Sequence, residues 1–377
     1  MAIIMTLAFS SWVALINNFS KEAAEFTGRE IGILQSLREV PGFLAFTAVL
    51  LLAVIKEQRF VLLSLLVTGL GVFLTGFFPS VVGLYFTTVL MSIGFHYFDT
   101  INQSLTLQWI DKQKAPLFMG RVMAVKAGAS ILVFGSLWLM LEYWSFSYVI
   151  IYAVFGGLAT LLAVVVWMSF PQYPAKIEQH THLFMRKSYW LYYALTFLSG
   201  ARRQIFMVFA GFLLVERFAY SAASIALLFL VNYIFTLFLA PKIGKLIGVI
   251  GERKALTIEY LGLAIVFASY AFVDSPVWAA GLYVIDHFFF AFSIAIKTYF
   301  QKIARPQDIA STAAVSFTIN HIAAVLLPVL LGFVWLYSNA LVFIIGAGMA
   351  IVSLGLSQLI PRNPRLGFES RLIKSYA

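Results

Sequence analysis

The chain has 377 residues, of which 62% are apolar and 11% charged, with a mean hydropathy of +0.92; that balance excludes a soluble globular domain and points to an all-α integral membrane protein. The net charge of +10 would suit a nucleic-acid partner, but the basic residues form no contiguous patch. There is no cysteine, so disulfides and thiolate metal sites are excluded.

A helical crossing of a bilayer core takes about 20 apolar residues. Runs of that kind, bounded by charges or turn residues, predict spans near 2–18, 31–55, 60–78, 81–108, 121–141 and 147–170. A second set follows near 189–214, 220–241, 255–273, 276–301, 311–335 and 339–360. The first run, Ala2 to Phe19, lacks the basic leader and small-residue cleavage site of a signal peptide and is read as a span. Between the sets lies the longest polar stretch, 171–188, read as a cytoplasmic linker. The expected domains are therefore a six-helix half at 1–170, a second at 189–361, and a cytoplasmic tail at 362–377.

With the N-terminus inside, 18 of the 26 Lys and Arg fall on the cytoplasmic side, Lys176, Arg186 and Lys374 among them. Lys21, Arg29 and Arg217 fall outside, and five lie within the membrane. This is the positive-inside pattern. The basic balance thus reports topology, with both termini cytoplasmic in a plasma (inner) membrane and no nucleic-acid partner.

Residues recur between the halves at a nearly constant offset. Gly83-Leu84-Tyr85 returns as Gly281-Leu282-Tyr283, Thr100 as Thr298 and Gln103 as Gln301, all 198 positions on. Gly135, Trp138 and Leu139 return as Gly332, Trp335 and Leu336, 197 positions on. Together these recurrences predict a parallel six-plus-six repeat.

Twelve spans in two halves, a basic central loop and the segment from Gly244 to Lys254 resemble the major facilitator superfamily. The family pattern there is roughly G-x-x-x-D-R-x-G-x-R-[RK]; this chain keeps Gly244, Gly251, Arg253 and Lys254 and has Gly248 and Val249 where the family has Asp and Arg. The resemblance implies pseudo-symmetric halves, alternating access, and a cavity lined by spans one, four, seven and ten. It also implies that spans three, six, nine and twelve face outward, and that the motif residues act in conformational change.

Ionisable groups in a hydrocarbon core are costly unless they face a cavity or a partner. Those inside the expected spans are Arg38, Glu39, Asp99, Lys126, Arg202, Arg203, Asp286 and Lys297, with Glu259 marginal near the end of span nine. In span four, Ser92, His96, Asp99, Gln103 and Thr106 share one helical face. At the repeat offset Asp99 corresponds to Lys297, a candidate gate or coupling pair or else a structural salt bridge. Glu39, Arg38 and Lys126 join them as proton-coupling or gating candidates. Arg202 and Arg203 lie near the bilayer middle of span seven, and the stripe Tyr192, Thr196, Ser199 and Arg203 favours Arg203 as the cavity residue. Arg202 is expected to pair with an acid such as Glu39 or Asp286. Arginine suits bidentate capture of carboxylate or phosphate. Substrate-binding candidates are thus Arg203, Arg202, Asp286, His287, His96, Asn17 and Asn320, although such asparagines serve more often as helix–helix hydrogen bonds. His96 with Asp99, and Asp286 beside His287, offer proton relays.

Five basic against three acidic residues in the core favour an anionic substrate. No phosphate loop, nucleophile elbow or metal cluster supports an enzyme or a cofactor. The reading is a monomeric, proton-coupled secondary transporter of a small anionic organic solute, working from the lipid bilayer. Its rivals are a non-transporting receptor or assembly factor and a carrier of amphiphilic, lipid-like molecules.

Overall fold

The computed structural model describes residues 1–26, 28–173, 185–220 and 222–372. Lys176 with most of the expected linker, Lys374, and the side chains of Asn17, Lys21 and Arg29 lie outside the described residues. The described chain is helical, and its helices account for each expected span.

In the first set, α1 (Ala2–Ala24) bends by 47° between Ile16 and Asn18. Span two is broken. Its first part is α2 (Gly28–Phe43), where Pro41 cannot donate to the carbonyl of Leu37. The chain then tightens into a 3₁₀ turn over Leu44–Thr47 before α3 (Ala48–Leu52). Four long helices follow: α4 (Glu57–Thr75), α5 (Val81–Trp109), α6 (Ala115–Glu142) and α7 (Tyr148–Ser169).

In the second set, span seven is α8 (Trp190–Gln204), a π-helical turn over Ile205–Ala210, and α9 (Gly211–Glu216). Then come α10 (Ala222–Ile250) and α11 (Glu252–Phe272). Span ten is α12 (Pro276–Phe290), a 3₁₀ turn at Ala291–Ser293 and α13 (Ile294–Ile303). The chain finishes with α14 (Ile309–Tyr337) and α15 (Asn339–Ser357). Among the described residues nine helices are long and apolar enough to cross a membrane by themselves, or ten with the bent α1. The two spans missing from that count are two and seven, the pair cut by the proline and the π turn.

Two compact units emerge. Unit 1 comprises Met1–Leu105, Val125–Leu183 and Ala310–Thr318; unit 2 comprises Thr106–Ala124, Phe184–Ile309 and Ile319–Ala377. Within unit 1, α4 packs along α7, spans three and six. Within unit 2, α11 packs in the same way along α15, spans nine and twelve. The same two positions of each six-span set therefore pack together, as a duplicated unit predicts. Each unit has its own apolar core, Trp12, Phe98 and Tyr152 at full burial in the first and Phe267, Tyr270 and Phe343 in the second.

The segment carrying the degenerate motif is built for close approach. An added Cβ on Gly244 would stand 2.3 Å from the carbonyl oxygen of Pro116, and one on Gly120 would stand 2.3 Å from that of Ala240. The start of α6 and the end of α10 thus cross through two reciprocal glycines, the small-residue device of membrane helix pairs. Gly251 has φ +81°, which L side chains rarely adopt, and turns the chain into α11.

Candidate functional site

The expected site residues fall into two groups, one in each unit. In unit 1, Pro41 and the 3₁₀ turn that follows it stand just after Arg38 and Glu39. Those two pair with each other, Nη2 to Oε1 at 2.6 Å. The Arg38 carbonyl also accepts from the Ser92 hydroxyl of α5. Four residues along the same face, the His96 ring holds its Nδ1 2.9 Å from Ser92 Oγ and 3.0 Å from the Ser92 carbonyl. Asp99 faces α6, where Lys126 stands 3.7 Å from its Oδ1 with both side chains about one-third exposed. The sequence set Asp99 against Lys297; within unit 1 its ion-pair partner is Lys126. Lys297 itself is half-buried on α13 of unit 2.

In unit 2, Arg202 and Arg203 end α8 directly before the π turn, and Asp286 and His287 lie one turn before the 3₁₀ turn of span ten. These two interruptions meet. Ser199, Arg202 and Arg203 of α8, Phe206 of the π turn, Asp286 and Phe290 of α12 and Ser293 of the 3₁₀ turn line one cavity, closed on a third side by Glu259, Leu263 and Phe267 of α11. The free space is small, about 30 Å³, enough for a water-sized group. Such breaks in helical hydrogen bonding are frequent at functional sites.

Arg202 is 3% exposed and held on three sides. Its Nη2 lies 3.7 Å from Glu259 Oε1, its Nη1 donates to Ser353 Oγ of α15, and its guanidinium carbon sits 4.4 Å from the Tyr260 ring centroid. Within unit 2 its ion-pair partner is Glu259 from span nine, an acid the sequence did not single out for that role, and its charge acts on Asp286 as well. What the cavity presents beyond that pair is Arg203, half-buried on the same helix end, and Asp286, 5% exposed. Asp286 Oδ2 has no hydrogen-bond partner among the described residues.

His287 borders this cavity through its ring, stacked on Phe290 at 6.1 Å and tilted against Phe206 at 6.1 Å. The span-seven stripe divides. Ser199 and Arg203 reach the cavity, whereas Tyr192 stacks on Phe300 at 4.4 Å and the Thr196 carbonyl accepts from Asn320 Nδ2 at 3.3 Å. Asn320 is thus used as a helix–helix bond between α8 and α14. Asn17 lies at the bend of α1.

Of the motif residues, Gly244 and Gly251 act through the backbone as described above. Arg253 is half-buried and Lys254 exposed. The charge that is tied down in that segment is one the pattern does not name: Glu252 is 1% exposed, with Lys302 Nζ 2.6 Å from its Oε1. Beside it, Gln301 Nε2 donates to the carbonyls of Leu107 at 2.8 Å and Ile110 at 2.7 Å, capping the end of α5. Lys112 Nζ reaches back to the Lys302 carbonyl at 3.4 Å. Burial, and then the Lys302 charge, lower the Lys112 pKa from 10.5. A further clamp holds the chain where it enters span seven. Arg186 forks onto the fully buried Asp308, whose Oδ2 also accepts from Tyr189 at 2.7 Å. The Asp308 carboxylate raises the Arg186 pKa. Neither clamp was visible in the sequence, where these residues read as loop charges.

Comparison with solved structures returns proteins of the same architecture. The E. coli fucose:proton symporter FucP aligns with TM-score 0.75 at 14% identity, over 95% of this chain and 96% of that one. The human organic anion transporter MFSD10 (TETRAN) aligns with TM-score 0.70 at 14% identity, over 95% and 97%. A bacterial homologue of the iron transporter ferroportin gives TM-score 0.73 at 13% identity, over 95% and 96%. At such identities the likeness speaks for the fold. A comparison with curated protein sequences finds no match. The family model for the Major Facilitator Superfamily matches residues 1–328. The twelve spans, the doubled six-helix sets and that match agree: the chain belongs to the Major Facilitator Superfamily of membrane transporters.

Proposed function

We propose that the chain is a secondary active transporter of a small anionic organic solute, coupled to protons and working by alternating access. The observation that carries this reading is the cavity of unit 2. Two guanidiniums, Arg202 paired with Glu259 and Arg203 beside it, lie on its wall. A guanidinium in such a setting takes carboxylate or phosphate by paired hydrogen bonds. Two of the similar structures are titled a fucose:proton symporter and an organic anion transporter. They agree with the reading without carrying it. Asp286 beside Arg203, and Asp99 beside Lys126, are the carboxylates that would take up and release the proton.

Movement of the halves 1–170 and 189–361, joined through 171–188, would expose the site in turn to each side. The excess of basic residues on one set of loops orients both termini to the cytoplasm of a plasma or inner membrane, and the unit of function is the monomer. The test is uptake into proteoliposomes carrying an imposed pH gradient, read with a panel of radiolabelled organic anions. Arg203→Ala should abolish uptake. Asp99→Asn or Asp286→Asn should remove the dependence on the gradient. Uptake indifferent to the gradient and to both aspartates would overturn the coupling, and unaltered affinity in Arg203→Ala would overturn the anion site.

A further inference from the structure

We propose that Glu259 and Asp286 form one proton site: the two carboxylates share a single proton through a buried water, with Arg202 as their common counterion. The use of that site in transport rests on the proton coupling proposed above, and Glu259 is its new member. Three polar atoms carry the inference. Arg202 Nε, Glu259 Oε2 and Asp286 Oδ2 are buried with no hydrogen-bond partner among the described residues, and all three side chains line the same cavity. Buried polar groups in folded proteins are otherwise paired. The free space, about 30 Å³, takes about one or two water molecules, and a buried water settles where a few polar atoms converge.

Charge supplies the proton. Arg202 stands 3.7 Å from Glu259, and the charges acting on Asp286 are those of Arg202 and Glu259, one cation for two acids. Arg203 lines the same space, half-buried and with partners of its own. The other groups facing the pair are phenols, Tyr260 and Tyr270 on α11 and Tyr283 on α12, which are uncharged at neutral pH. His287 packs its ring on Phe206 and Phe290. Of the other helices packed on α11 and α12, α15 has no charged residue, α10 brings Tyr233 against Tyr283, and α13 carries Lys297, half-buried with partners of its own. Two anions lining one water-sized space repel strongly, and carboxylates so placed share one proton. That proton belongs to the pair rather than to either residue. Its passage balances: the Asp286 carboxyl gives its proton to the water, the water gives one of its own to Glu259 Oε2, and negative charge moves from Glu259 to Asp286. The charge shift falls beside the π turn of span seven and the 3₁₀ turn of span ten, where those helices are already interrupted.

The test is infrared difference spectroscopy of the purified full-length protein in detergent, titrated from acid to alkaline pH, because a protonated carboxyl has a C=O stretch that a carboxylate lacks. Wild type should show such a band at neutral pH and lose it in alkali. Asp286→Asn and Glu259→Gln should each abolish it at neutral pH, since the remaining acid then has Arg202 to itself and ionises. Glu259→Asp keeps both carboxyls and should retain the band at a shifted frequency. The proposal is overturned if wild type has no such band, or if the band survives Glu259→Gln, which would leave Asp286 holding its proton alone. Where Glu259→Gln fails to fold, the milder Glu259→Asp decides, and a band it leaves unmoved overturns the proposal. Gradient-driven uptake by a protein whose band survives Glu259→Gln refutes this inference alone. Uptake that ignores the gradient, while both variants abolish the band, refutes the coupling and leaves the proton site standing.

Discussion

The buried ion pair between Arg202 and Glu259 offers the sharpest physical test of unit 2. The side chains are 3% and 4% exposed, so solvent screens the 3.7 Å contact very little. Removing one member of such a pair costs about 3–5 kcal/mol, because the other charge is left buried, whereas replacing both by apolar side chains is often close to neutral. Glu259→Leu strands Arg202, but the guanidinium keeps Ser353 and the Tyr260 face. Its cost should sit near the lower end, about 3 kcal/mol. Arg202→Met strands Glu259 and also gives up the cation–π contact and the serine bond, so about 4–5 kcal/mol is expected. The double variant removes both charges and should lose only about 2 kcal/mol. A double-mutant cycle then yields a coupling energy of several kcal/mol. Equilibrium unfolding in mixed SDS micelles, followed by tryptophan fluorescence, measures all three. A double variant whose loss equals the sum of the single losses would refute the claim that Glu259 is the partner of Arg202.

Other consequences concern the crossings and clamps. Gly244→Val places a branched side chain where even a Cβ meets the Pro116 carbonyl at 2.3 Å, and should cost about 3 kcal/mol or prevent folding, while Gly248→Ala, with nothing within 4 Å, should be neutral. Expression and thermal denaturation of the pair compare the two. Gln301→Leu leaves the carbonyls of Leu107 and Ile110 without their side-chain donor and should destabilise by about 1–3 kcal/mol, with faster hydrogen exchange at the end of α5 as the specific readout. Asp308→Ala should cost about 3 kcal/mol in the same unfolding assay, because Arg186 and Tyr189 both lose their acceptor. The Lys112 shift has a definite sign. With its folded pKa below the unfolded 10.5, the unfolded chain binds the proton more tightly, so stability should rise as pH climbs from the lowered value to 10.5. Lys112→Met should flatten that slope in pH-dependent unfolding.

The fold was legible because it is written in composition and spacing. Long apolar runs needed no tertiary context, and the recurrences at offsets of 197 and 198 predicted a six-plus-six repeat, with which the matching pairs α4 with α7 and α11 with α15 agree. The candidate site was legible only in part. Arg202, Arg203 and Asp286 announced themselves as charges deep inside apolar runs, and they do line one cavity. Glu259 did not. It stands on the second turn of α11, a span expected to face outward, and position along the chain says how deep a residue lies but not which way it points. Only the packing of α15 against both α8 and α11 brings its carboxylate beside Arg202.

The same limit explains the motif segment. A pattern of glycines and cations told where a functional turn should fall, yet the residues tied down there are Glu252 and Lys302, fifty positions apart, together with a glutamine that caps a helix almost two hundred residues upstream. Such contacts leave no local periodicity. The glycines mattered for their missing side chains, where backbones cross at Gly120 and Gly244, rather than for any charge they flank. A chain that has given up the acidic and basic residues of the family pattern at Gly248 and Val249 has therefore not given up a fastening at that end of the helices. The fastening there consists of an ion pair, an amide cap and a lysine whose pKa burial lowers. The variants at Gln301, Lys112 and Gly244 are the means of loosening its parts one at a time.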